Sequence, residues 1–70
     1  MVWYADYHGA TLPAREQEKV KRVHTITTSS WGIPFTLLEC RESLAQDVVE
    51  EWELRAISEE RARELIGQGD

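Results

Sequence analysis

The chain is 70 residues long, 41% apolar and 30% charged, with a net charge of −5. A chain of this length buries only about 60% of the surface its unfolded form exposes, which excludes a large core or a second domain, and the single cysteine, Cys40, excludes an internal disulfide as reinforcement. No apolar run approaches the roughly 18 residues that cross a bilayer, and "MVWYADYHG" has neither the basic nor the extended apolar region of a secretory leader, so the composition points to a reducing, cytoplasmic setting with no membrane partner.

Val2 to Tyr7 is short, aromatic-rich and loosely alternating, and reads as a strand or extended arm that ends at Gly9. Thr11 as a cap, Pro13 in a first turn, and Glu16 and Glu18 ahead of Lys19, Lys21 and Arg22 predict a short surface helix over 12–21, with Glu18 and Arg22 as an i,i+4 pair. The β-branched residues of "VHTIT" then favour a strand over 22–28. Ser29, Ser30 and Gly32 supply turn chemistry, Pro34 keeps Ile33 extended, and "PFTLLEC" follows as a second strand. The two strands read as a hairpin with its tip at "SSWG". Phe35, Leu37 and Glu39 would share one face, and Thr36, Leu38 and Cys40 the other.

From Ser43 the pattern becomes helical. "SLAQ" has capping-box spacing, and at about 100° per residue Leu44, Ala45, Val48, Val49, Trp52 and Ala56 share an arc of roughly 140°. Gln46, Asp47, Glu50, Glu51 and Glu53 fall outside it, and Leu54 stands by itself on this acidic face. Ser58 caps a second helix, with Glu59 and Glu60 early, Arg61 and Arg63 later, Ala62, Leu65 and Ile66 on one side, and Gly67 as its stop. The whole predicts a single α+β domain over 1–70: a β-hairpin or small antiparallel sheet packed on a C-terminal amphipathic helix pair, with a short helix near the N-terminus.

Little in the chain suggests chemistry. His8, His24 and Cys40 are isolated, so no metal site and no cofactor are expected. Cys40 and His24 lie on the two strands read as a hairpin, so a nucleophile and base pair is conceivable, but no third residue or oxyanion donor accompanies them. The adjacent carboxylates of "VVEEWE" point in different directions on a helix. The expectation is a non-enzymatic chain with no catalytic residue.

Charge and apolar excess point to binding. Residues 1–41 hold five Lys/Arg against four Asp/Glu, whereas residues 42–70 hold three against nine. Residues 43–66 could form a helix-turn-helix, yet its second helix would begin "SEERARE", which phosphate repels, so nucleic acid is a disfavoured partner. A small dimeric DNA-binding regulator using Lys19, Lys21 and Arg22 is the alternative. Protein binding is favoured because Trp31, Pro34, Phe35, Leu54 and the Trp3, Tyr4, Tyr7 group exceed what one thin core can hold. Trp31, Ile33 and Phe35 are candidate anchors. Asp47, Glu50, Glu51 and Glu53 would steer towards a basic partner, with Leu54 as an apolar contact among them. The competing reading has the acids as a solvated face, and Trp31 and Phe35 folded back onto a buried Trp52. A homodimer formed by helix docking or by pairing of edge strands would cover the remaining apolar surface.

A compact acidic chain with a hairpin, the "SLAQDVVEEWELRA" helix and surface aromatics resembles, as a type, small phage-encoded proteins that inhibit host proteins, among them anti-CRISPR and anti-quorum-sensing proteins and inhibitors of transcription. The resemblance implies an inhibitor or adaptor that occupies a surface of a bacterial host protein. It carries over no functional residue.

Overall fold

The aromatic N-terminal segment becomes the interior of a sheet. In the computed structural model, which describes residues 1–26 and 34–68, β1 (Val2–Asp6) pairs antiparallel with β3 (Phe35–Cys40) on one side and β4 (Arg55–Ile57) on the other. β2 (Val20–Ile26) pairs with the far side of β3, so the strand order is β2-β3-β1-β4. Among the described residues three helices complete the α+β architecture: α1 (Ala14–Gln17), α2 (Gln46–Glu51) and α3 (Glu59–Gln68).

Strand alternation sends neighbouring side chains to opposite faces, and here both faces are covered. Trp3 and Ala5 join Phe35, Leu37 and Ile26 beneath Ala62 of α3, with Ile57, Leu65 and Ile66 packed around them. On the other face Tyr4 meets Leu38, Cys40, Leu44 and Leu54, flanked by Leu12, Val20, Val49 and Trp52. The split of β3 into Phe35/Leu37 and Leu38/Cys40 faces is the one its alternation predicts. The two C-terminal helices therefore sit on opposite faces of the sheet, separated in the chain by β4. That arrangement is not a helix-turn-helix.

The predicted hairpin arms pair, from Val20↔Cys40 to Ile26↔Phe35, with an irregularity between Val20 and Arg22; the tip "SSWG" lies outside the described residues. The helix expected over 12–21 is only the four residues of α1. Val20 and the residues after it gain a ladder with β3, which a helix continued to Lys21 would forfeit.

The helix expected from Ser43 is also shorter. Ala45, in extended conformation, precedes α2 and makes no side-chain cap. After Glu51 the chain turns, Glu53 takes a left-handed φ of 52°, and Leu54 donates its N–H to the Val49 carbonyl at 2.9 Å. "RAI" then pairs with β1, so Ala56 belongs to a strand rather than to the helical stripe. The second helix begins as expected, because the Ser58 hydroxyl accepts the Arg61 N–H at 3.1 Å. Gly67 lies inside α3 without a left-handed φ, so it does not terminate it.

One buried hydrogen bond fixes the chain entering α2. The Leu44 N–H donates to the Tyr4 hydroxyl at 3.1 Å, with both residues buried. Tyr4→Phe keeps the packing but strands that N–H, and is expected to cost about 1–3 kcal/mol. The urea midpoint measures this, and an unchanged midpoint would mean that Leu44 finds another acceptor.

Candidate functional site

The structure divides the sequence-predicted contacts into three groups. Trp31 and Ile33 lie outside the described residues. Phe35 and Leu54, expected as exposed contacts, are each only 6% exposed and belong to the core. Phe35 faces the same way as Leu37 and stacks on Tyr7 at 4.9 Å between ring centroids. Leu54 is turned inward by the chain reversal at Glu53, a non-local event that helical periodicity could not register. Trp3 and Tyr4 are also both buried, because an interior strand with two covered faces accommodates what a hairpin on one helical layer would expose. Trp52, expected at the centre of the helical core, is half-buried at its margin.

The third group stays together. Asp47, Glu50 and Glu51 of α2 and Glu53 after it are all exposed, as helical spacing predicts. Glu50 and Glu51 make no ion pair among the described residues. Asp47 is only 3.8 Å from Arg15, and Glu53 meets the exposed His8 at 3.2 Å. These carboxylates are open to a partner and weakly compensated within the chain.

A second surface lies along the β2 edge of the sheet. β2 is an edge strand, and Val23 on it is 55% exposed. Beside it runs a groove of about 650 Å³ whose apolar lining includes Ala10, Leu12, Val20, Val23 and Leu38, with Lys21 and Arg22 at its margin. Asp6 builds the opposite wall: its carboxylate accepts the backbone N–H groups of His8 at 3.0 Å and Ala10 at 2.9 Å, while Gly9 supplies a φ of 67°. Sequence reasoning named Lys19, Lys21 and Arg22 only as a basic cluster. It missed the groove, since the loop at 9–12 reaches β2 only through tertiary packing.

Lys19 is withdrawn from that cluster. Its ammonium lies 2.9 Å from Glu16, which is 1% exposed. The Glu16 carboxylate also accepts the Ala45 N–H at 3.3 Å, so it ties α1 to the start of α2. The Lys19 hydrogen bond leads in holding the Glu16 carboxyl below its ordinary range, against the opposing effect of burial, and Lys19 is correspondingly raised. On β3, Glu39 is likewise lowered, chiefly by His24, whose ring nitrogen is 3.1 Å away.

Chemically, the described residues are quiet. Cys40 is fully buried, and desolvation, aided by Glu16 and Glu39, pushes its thiol up to about 11, which makes it a poor nucleophile at neutral pH. The His24 ring packs at a tilt against Trp3, centroids 5.5 Å apart, on the α3 side of the sheet, whereas Cys40 belongs to the other core; the two do not meet. No three His, Cys, Asp or Glu side chains converge as a metal site among the described residues, and no helix among them is long and apolar enough to cross a membrane. The Trp3 indole N–H is buried without a described partner, a structural cost inside the core.

Comparisons with known proteins give no matching family, curated relative or solved structure.

Proposed function

We propose that the chain is a non-catalytic protein-binding module, an inhibitor or adaptor that occupies a surface of a bacterial protein. The observation that carries this reading is the exposed, weakly compensated acidic surface of Asp47, Glu50, Glu51 and Glu53, presented beside the half-buried Trp52. Such a surface attracts a basic partner patch and repels nucleic acid. The resemblance in type to phage-encoded inhibitors favours blocking a host protein.

The DNA-binding alternative has less support. Lys19 is committed to Glu16, and Lys21 sits 4.0 Å from Glu39, leaving few cations to neutralise phosphates.

The test is capture from bacterial lysate with the wild-type chain and with Glu50→Lys/Glu51→Lys, whose altered positions are exposed. One protein retained by the wild type and lost with the variant is the expected result. Its association rate should fall as salt rises from about 50 to 500 mM, because charge steering acts mainly on encounter. A salt-independent rate would remove the acidic surface from the mechanism, and retention that vanishes with nuclease would favour DNA binding. Phe35→Ala is no probe of binding, since truncating a buried phenylalanine costs about 3–5 kcal/mol.

A further inference from the structure

We propose that the free edge of β2 and the groove beside it bind an extended, acidic and apolar segment of a partner protein, which adds to the sheet as a fifth strand.

The backbone supplies the first reason. β2 runs for seven residues, Val20–Ile26, and only its β3 side is paired among the described residues. The outward N–H and C=O groups of an edge strand are a template for another strand. Strand addition also needs side-chain pockets next to the edge. Here Val23 stands exposed on the rim, and the groove runs inward to the buried Leu38 between Leu12 and Val20. Its volume, about 650 Å³, falls within the range of about 300–1,000 Å³ that holds small ligands, enough to seat apolar side chains projecting from one face of an added strand.

Charge selects the occupant. Arg22 is exposed and makes no ion pair among the described residues, and Lys21 is half-exposed with only a 4.0 Å contact to Glu39. A second copy is disfavoured in each edge pairing available. Symmetric antiparallel β2–β2 pairing, centred on Val23, sets Lys21 opposite Thr25 and Arg22 opposite His24, so neither cation meets an acid, and the irregularity between Val20 and Arg22 disturbs the strand near its start. Pairing β2 with the other sheet edge offers them the three residues of β4, Arg55, Ala56 and Ile57, none of them an acid. The chain's own acids on α2 and α3 are held in helices, so they provide no extended acidic strand. A partner segment alternating acidic and aliphatic residues fits both cations and groove. This surface is separate from the acidic face of α2, and neither proposal depends on the other. Together they would let one small domain hold two partners of opposite charge.

The probe is an eight-residue blocked peptide alternating glutamate with valine or leucine, added to the isotopically labelled full chain and followed by backbone amide NMR. A peptide of the same pattern with lysine for glutamate serves as the control. The expected result is saturable shifts along Val20–Ile26 and at Leu12 and Leu38, slowed amide exchange on β2, and affinity for the acidic peptide at least about tenfold above that for the basic one. Lys21→Gln/Arg22→Gln should weaken binding about tenfold with its spectrum otherwise native, while Arg61→Gln/Arg63→Gln, the same loss of charge at exposed positions of α3, should leave it within about twofold. Equal affinity for both peptides, shifts elsewhere, or no binding at millimolar peptide would overturn the proposal. So would sedimentation showing that the edge is closed by a second copy, or displacement of the peptide by single-stranded or duplex DNA at lower concentration than the peptide itself requires.

Discussion

Leu37→Ala is expected to remove a large share of the chain's folding stability. Leu37 is 0% exposed and lies on β3, an interior strand paired to both β1 and β2, so its side chain is held among Trp3, Ile26 and Phe35 beneath α3. Truncating a buried leucine removes transfer energy and leaves a cavity, about 2–5 kcal/mol together. At about 0.05–0.15 kcal/mol per residue, a chain of this size has roughly 4–10 kcal/mol in total, so one substitution removes a large share. The expected drop in Tm exceeds about 10 °C, read by circular dichroism. Val23→Ala, at a position 55% exposed, should change Tm by only a few degrees. Similar losses for both would mean that Leu37 is not at the centre of the core.

The second large effect should come from Glu16 and depend on pH. Its carboxylate is nearly inaccessible and holds both Lys19 and the Ala45 N–H. Glu16→Gln loses the charge at the Lys19 contact, leaving an ammonium beside a neutral amide in a confined site. Because the folded-state pKa lies below the ordinary value of 4.5, the unfolded chain binds the proton more readily. The stabilisation is fully present above the unfolded value and is lost as pH falls through the lower folded one. Glu39 has the same sign. Wild-type Tm should therefore fall between about pH 5 and pH 3. Glu16→Gln should start lower at pH 7 and converge on the wild type in acid. Parallel curves across that interval would show that the charge of Glu16 contributes nothing to stability.

Legibility in the sequence followed the range of the interactions. The Ser58 cap, the Ala62/Leu65/Ile66 stripe and the two faces of β3 are set by neighbours within one turn or one pleat, and the structure shows each of them. The exposed acids of α2 were legible for the same reason. Phe35 and Leu54 lie in the core rather than on the surface because both sheet faces are covered, which gives the apolar residues more places to go than a single covered face would. The groove beside β2 and the buried role of Glu16 left no local signal. One needs the loop at 9–12 folded over the strand, and the other joins residues 29 positions apart.

By itself the sequence determined the α+β class, the strand and helix faces, and the charge polarity between the two halves, since propensity, period and charge are properties of short windows. The tertiary structure decided that the N-terminal strand enters between β3 and β4, that "RAI" becomes a strand, and that Leu54 turns inward. Those outcomes rest on pairing between residues distant in the chain, where ladder hydrogen bonds and burial of Tyr4 and Leu54 together outweigh the local preference to continue a helix.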